Sequence, residues 1–405
     1  MLSRRQMFVS AAAAGAVSRI PAAFASSPFN MDQFVSELKE LVSIDSKTGH
    51  EEGVNKIIAI FEERFKSIGW TVTLHPCPGR GNALVATSKP DQSRYDVVLC
   101  AHADTVQPVG YAKKHPFVLK GTIAHGAGVG DDKSSLLSVW WICKSLPKSV
   151  TDKLNIAVLI NPGEESGNTA TNKFFEEQGK KTPLALVYEP GRGEVEGGAF
   201  VKVRKGAMNL IVRFHGRPAH AGNNPQDGRN AIYAMALAIP QITAVQEKYP
   251  GVTLNGDIIK GGTAVNTIAA ESEVTFDFRF TDDDTRDKAI ADVRALCEKG
   301  FMEGVKSELV FNRLSSALPE TEKSRKLMAV VDKAAAQLGQ AKPKWLSVGG
   351  ASDGNKLAAQ GAAVVCAMGV VSGNLHDPEK EWTDLSTARP RIELSCKVLE
   401  LLAAA

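Results

Sequence analysis

The chain has little charge of either sign to spare. Its 48 lysines and arginines stand against 45 aspartates and glutamates, a formal net charge of +3 over 405 residues. Three of the cations, Arg4, Arg5 and Arg19, lie in the first 25 residues, which hold no acid, so the remainder carries 45 basic and 45 acidic residues. A balance this even gives no electrostatic case for nucleic acid or for an anionic membrane surface as partner. The six cysteines, Cys77, Cys100, Cys143, Cys297, Cys366 and Cys396, show no CxxC or CxxxC spacing, which removes a thiolate zinc site from consideration. Most sit in apolar runs such as "DVVLCAH" and "AAVVCAM", where a free Cys packs as a small core residue. Beyond residue 25 there is no apolar run long enough to span a bilayer, no internal repeat and no low-complexity stretch. What is left, at 43% hydrophobic residues, is a globular chain able to bury a core and long enough for more than one domain.

Residues 1–25 read as an export signal. Basic Arg4 and Arg5 precede an apolar Ala-rich stretch that ends in the small-x-small pattern Ala23-Phe24-Ala25. The arginine pair after Ser3 is similar to a twin-arginine signal, but Met7 stands before Phe8 where that signal prefers Phe directly, so the general secretory route stays open. The mature chain is expected in the periplasm or outside the cell, with no membrane segment.

Apolar strand-like runs then alternate with helix-like segments: "VNKIIAIFEERFKSIG", "DVVLCAHAD", "SSLLSVWWICKSL", "LNIAVLINP" and "LALVYEP". Near-continuous apolar strands between helices predict an α/β unit, a mostly parallel sheet covered by helices on both faces. From about Val203 the texture changes. "MNLIVRFHG" and "SEVTFDFRF" alternate apolar and polar as half-exposed antiparallel strands do, and amphipathic helices lie between and after them. Near Ser316 the first texture returns. The expected organisation is therefore one α/β domain, residues 26–202 and 317–405, interrupted by an α+β domain at 203–316.

In open α/β sheets chemistry gathers beyond the carboxyl ends of the strands, so the polar residues there belong together. "DVVLC" is followed by His102 and Asp104, two apart and therefore on one side of an extended chain. "GVGDDKSS" brings Asp131 and Asp132 to the start of a helix. Glu164-Glu165 follow "LNIAVLI", Glu189 follows "LALVY", and His376 follows the late run "AAVVCAMGVVSGNL". Five acid or imidazole sites thus fall at predicted strand ends. With His102, Glu165, Glu189 and His376 as terminal ligands and Asp131 bridging, each of two metal ions would have three protein ligands and an open position for water. Adjacent glutamates at 164 and 165 would then divide the labour, one holding metal and one moving protons.

These motifs, "HADT", "GDDK", "GEES", "YEP", "NLH" and the segment "GRPAHAG", resemble in order and spacing the co-catalytic zinc peptidases that include glutamate carboxypeptidase, aminoacylase, succinyl-diaminopimelate desuccinylase and the tripeptidases. The resemblance implies two Zn2+ per subunit, replaceable by Co2+ or Mn2+, with His102 and Glu189 on one ion, Glu165 and His376 on the other, and Asp131 shared. It implies Asp104 as the residue orienting the histidine, Glu164 as general base, and a cis peptide between Asp131 and Asp132. His220 would complete the oxyanion site from the partner subunit of a homodimer. Asn266 and Arg279 match positions that bind the carboxylate of the released amino acid. Gly349 and Gly350 offer backbone N–H groups for the same end, and Arg313 near the domain junction is a candidate for an acidic side chain.

Two departures stand out: Ser134-Ser135 where the family commonly has glycines, and His125 where it often has Tyr. Glu189, rather than Asp, resembles the carboxypeptidase and deacylase branches. The expected reaction is release of a C-terminal amino acid, glutamate being the first candidate, from a small peptide or N-acyl amino acid. Within the family the alternative is an N-acyl amino acid deacylase or a di- or tripeptidase. A non-enzymatic binding protein would not need all five ligands and the base.

Overall fold

Strand Val97–His102 shows how the first half of the chain folds. Leu99 and Ala101 pack into one hydrophobic cluster while Val98 and Cys100 pack into another on the opposite side. A strand alternates its side chains between two faces, so an unbroken apolar run requires cover on both. The computed structural model describes residues 29–89, 93–166, 169–193, 198–377 and 379–405, and the export segment lies outside the described residues. Six strands lie in the order Thr71–Cys77, Gly81–Thr87, Ile156–Asn161, Val97–His102, Leu184–Val187, Ala363–Val365. The last four run parallel, and the first two form an antiparallel edge. This is the mostly parallel sheet expected from the sequence.

Helices Met31–Val42, Glu51–Ser67, Ser134–Ser145 and Ala388–Ala403 supply one face, and Asn172–Gly179 and Asp353–Ala359 the other. Ser134–Ser145 is buried nearly all round, Trp141 included. An apolar stripe would not suffice for such a helix, and its sequence, "SSLLSVWWICKS", has none. Each fully buried Leu or Phe here contributes roughly 1.5–3 kcal/mol relative to exposure.

Between Gly206 and Ser315 the chain builds a second sheet with its own core. Its strands, in the order Thr253–Gly261, Glu271–Phe280, Gly206–His215, Lys306–Ser315, are all antiparallel. Val274, Phe276, Phe278 and Phe280 point inward against helices Ala231–Thr243 and Asp283–Lys299. Strand Thr253–Gly261 escapes sequence reading because it is an edge strand, exposed along most of its length and without an apolar run.

The expectation that all five acid or imidazole sites close core strands is corrected by the structure. His102 closes Val97–His102, Glu164-Glu165 follow Ile156–Asn161, and Glu189 follows Leu184–Val187. Asp131 and His376 follow Ile123–His125 and Val371–Gly373, which belong to a separate five-stranded sheet. Those strands are three residues long, too short to register as apolar runs.

Candidate metal centre

His102 is buried at the end of its strand, and its ring is set by its own neighbour. Nδ1 lies 3.0 Å from the backbone oxygen of Asp104, which accepts its proton, and Nε2 faces the Asp131 Oδ1 at 3.0 Å and Glu189 Oε1 at 4.0 Å. The Asp104 carboxylate is 3.5 Å from the ring and has other partners. It accepts from the backbone N–H of Glu164 at 2.9 Å and of Glu165 at 3.2 Å, and from the Thr48 hydroxyl at 2.6 Å. Asp104 therefore orients the histidine through its carbonyl and holds the Glu164-Glu165 turn through its side chain.

The other oxygen of Asp131 faces a second imidazole. Oδ2 lies 3.5 Å from His376 Nε2, which is 3.2 Å from Glu165 Oε2. His376 is reached through a backbone φ of 69°, and the Asp131–Asp132 peptide is cis. Asp131 thus presents one oxygen to His102 beside Glu189 and the other to His376 beside Glu165. Glu164 is close too: its carboxylate, His102 and Glu189 have donor atoms within 4.8 Å of one another.

The charges in this centre are poorly balanced without a cation. Burial pushes the Glu164 carboxyl well above its ordinary range, with the charge of Glu189 adding to it. Burial also raises Glu189 to about 7 against the pull of Arg204. Burial would raise Asp131 as well, but hydrogen bonds and charge from His102 and His376 hold it well below the usual carboxylate range. His376 rises to about 10 because Asp131 and Glu165 accept from it. Two buried oxygens, Glu165 Oε1 and Asp132 Oδ1, have no hydrogen-bond partner. Crowded carboxylates, imidazoles turned to present Nε2, and carboxyl oxygens without a hydrogen-bond partner fit divalent cations of the zinc type.

Two supporting residues escaped the sequence reading. Arg204 is buried and donates Nη2 to Glu189 Oε2 at 3.3 Å. Glu381 accepts from the backbone N–H of Gly130 at 2.8 Å, Asp131 at 3.0 Å and Gly128 at 3.3 Å, and from Gln107 Nε2, so it fixes the backbone that carries Asp131. In sequence Arg204 marks no strand end of the apolar sheet, and Glu381 sits in "PEKEW", which reads as a solvated turn. Of the two departures from the family pattern, His125 shares a hydrogen bond with the Glu381 carbonyl and Ser134 one with Thr383.

A cleft of about 490 Å³ opens over the centre, with Glu164, Glu165 and His376 on one wall and Asn209, Asp277 and Arg279 of the inserted sheet on the other. Arg279 donates Nε to both oxygens of Asp277, at 2.9 and 3.0 Å. Gly349 and Gly350 are exposed beside cleft-lining Ala351, and the Arg313 side chain lies outside the described residues. Asn266 and His220 are exposed and do not line the cleft. They adjoin each other instead: the Ala221 N–H donates to the Asn266 carbonyl at 2.8 Å. His220 Nδ1 accepts from the N–H groups of Gly222 and Asn223, both at 3.1 Å, so the ring proton sits on Nε2 as an outward donor.

Two imidazoles and a crowd of buried carboxylates under an open cleft at the strand ends of an α/β sheet fit a metal-dependent hydrolase, and comparison with known proteins supports a metallopeptidase or related hydrolase. Residues 83–203 match the description Peptidase family M28, and residues 203–305 match Peptidase dimerisation domain. Carboxypeptidase G2 of Pseudomonas sp. (strain RS-16) is 26% identical over 90% of this chain and 88% of its own. Succinyl-diaminopimelate desuccinylase of Thioalkalivibrio sulfidiphilus is 28% identical over 69% of this chain and 77% of its own. The fold is that of aminopeptidase PepT from Bacillus cereus, with a TM-score of 0.75 at 22% identity over 93% of this chain and 99% of that one. An M20 family metallo-carboxypeptidase from Sulfolobus solfataricus aligns with a TM-score of 0.67 at 16% identity over 92% and 100%. These matches support the zinc peptidase family that the motifs resemble, and the fold is an α/β catalytic domain with an inserted dimerisation domain.

Proposed function

We propose that the protein is a two-zinc hydrolase that cleaves the amide bond before the C-terminal residue of a small peptidyl or N-acyl amino acid, with glutamate the first residue to test. The observation that carries this reading is Asp131, whose two oxygens face two separate imidazole–carboxylate pairs. His102, Asp131 and Glu189 would hold one ion, and Glu165, Asp131 and His376 the other. When bound, the ions supply Lewis acidity toward the scissile carbonyl and lower the pKa of water between them.

The protein's own groups do the rest. Glu164, whose carboxylate lies beside His102 and Glu189, takes the proton of the attacking water in its ionised form and returns it to the leaving amine. His220, with its proton fixed on Nε2, is the donor for the developing oxyanion and reaches the site from the partner subunit. Arg279, its Nε occupied by Asp277, keeps its two terminal amino groups for the substrate carboxylate, joined by Gly349 and Gly350, while Asn266, beside His220, would arrive with it from the partner subunit. Residues 203–316 act as lid and dimer contact: Ile258, Ile259, Tyr233 and Leu237 leave 56%, 62%, 63% and 51% of their surface exposed on an edge strand and its neighbouring helix. The export segment would deliver the enzyme to the periplasm or outside the cell.

Similarity to carboxypeptidase G2 over most of both chains favours the carboxypeptidase reading. Similarity to a desuccinylase keeps the deacylase alternative. A panel of peptidyl and N-acyl amino acids incubated with zinc-loaded protein, scored by the amino acid released, decides between them. Release of C-terminal residues from peptides supports a carboxypeptidase, turnover of N-acyl amino acids alone a deacylase, and hydrolysis of neither contradicts the proposal.

A further inference from the structure

The inserted sheet is joined to the α/β body by two chain crossings, and the buried first turn of helix Asp353–Ala359 grips both. The first crossing runs from strand Phe200–Arg204 into Gly206–His215, and the second from Lys306–Ser315 toward Leu318. Arg204 and Leu318 exchange backbone hydrogen bonds of 3.0 and 2.9 Å, which ties the crossings together. Asn355, fully buried, donates Nδ2 to the carbonyls of Lys205 at 3.3 Å and Ser316 at 2.9 Å, one on each crossing. Its Oδ1 accepts from the N–H of Ser352 at 2.9 Å.

Residues 350–355, that helix start and the segment leading into it, reach the metal centre by two routes. Arg204 donates Nη1 to the carbonyls of Gly350 and Ala351, at 3.2 and 3.4 Å, while its Nη2 holds Glu189. Asp353 accepts from Asn161 Nδ2 at both oxygens, at 2.8 and 2.7 Å. Asn161 in turn accepts from the Gly163 N–H at 3.0 Å, at the root of the Glu164-Glu165 turn. Asn161, Asp353, Asn355 and Arg204 are all buried. A buried polar group pulled off its partner is left without a substitute from water, so a shift at the crossings is transmitted along these bonds more readily than absorbed.

We infer that Asn355 and Arg204 are positioning residues that couple the orientation of the inserted domain to the geometry of Glu189 and the Glu164-Glu165 turn. The inference rests on the metal reading above. Coupling between sites is reciprocal, so fixing the ligands with zinc shifts the domain, and domain closure tightens the ligand set. Ser316 and Ser352 line the cleft as well, which puts substrate contact on the same linkage.

All six cysteines are buried, so dyes can be placed on exposed positions with Lys173→Cys on the body and Glu298→Cys on the inserted domain. Doubly labelled chains, diluted into unlabelled protein, are compared by single-molecule energy transfer after chelation and after reloading with zinc. Wild-type protein is expected to shift and narrow its distance distribution on zinc binding. Asn355→Ala should lose at least half of that shift while still binding two zinc ions and keeping its far-UV circular dichroism. Arg204→Lys, which keeps a cation beside Glu189 but cannot also hold two carbonyls, cuts the link at its other end and should behave alike; it carries the test if Asn355→Ala does not fold. Zinc binding by wild type without a shift, or a wild-type shift in a folded variant, overturns the coupling alone. Absence of zinc binding by wild type overturns the metal reading and the coupling with it.

Discussion

Replacing Glu164 and Glu165 one at a time with glutamine separates two jobs that the sequence places side by side. Glu165 faces His376 at 3.2 Å and has a second oxygen with no protein partner, as a ligand would. Glu164 lies near His102 and Glu189 and could be read as a third ligand there. As proton carrier, its loss should lower kcat by roughly 10²–10⁴-fold. At 1.36 kcal/mol per decade that is about 3–5 kcal/mol of transition-state stabilisation. Zinc affinity of Glu164→Gln should stay within a few-fold of wild type. Glu165→Gln removes an anionic donor from a group of three, so its affinity for the weaker-held ion should fall by at least the roughly 10–100-fold that follows loss of a ligand's supporting partner. Competition against a chromogenic chelator gives the affinities, and kcat is then measured at saturating zinc. In metal-free protein Glu164→Gln should raise the melting temperature at pH values above the ordinary carboxylate range. Burial and the Glu189 charge raise the folded pKa of Glu164, so its ionised form lowers stability as pH rises through that value. Equal zinc loss in both variants, or a near-wild-type kcat for Glu164→Gln, would refute the division of labour.

Two further outcomes follow from the same geometry. Mixed dimers of a His220→Ala chain with a Glu164→Ala chain should regain activity lost by each alone, because one site then has both residues; no gain in confirmed mixed dimers would place His220 outside the neighbouring site. Burial, offset by backbone N–H bonds from Asp131 and Gly130 and reinforced by the Asp131 charge, raises Glu381 from 4.5 to about 7 in the folded protein. Metal-free stability from this group is therefore complete below about pH 4.5 and lost as pH rises through about 7, on the order of 3 kcal/mol at most. Glu381→Gln should flatten that part of the melting-temperature profile, and an unchanged slope would show that Glu381 does not titrate there.

Local pattern carried much of this protein. His102, Glu164-Glu165 and Glu189 stand out because long apolar runs end just before them, and the inserted sheet announces itself where unbroken runs give way to alternation at "MNLIVRFHG". Asp131 and His376 were found from their motifs, although the strands that deliver them are too short to see. What sequence hid was held by distant partners. Arg204 meets Gly350, Asn355 meets Ser316 and Lys205, and Glu381 meets Gly130, and none of these pairs leaves a periodicity in the chain. The role of Asp104 was half legible: its place beside His102 was evident, but its grip on the Glu164-Glu165 backbone depends on the parallel pairing of strands Val97–His102 and Ile156–Asn161.

The central claim is that Asp131 is shared by two zinc ions. Anomalous diffraction at the zinc edge, on crystals of the zinc-loaded enzyme, tests it directly. The account predicts two peaks per chain, roughly 3.5–4 Å apart, each bonded to one oxygen of Asp131, with His102 and Glu189 completing one set and Glu165 and His376 the other. A single peak, or two ions that do not share Asp131, would contradict it.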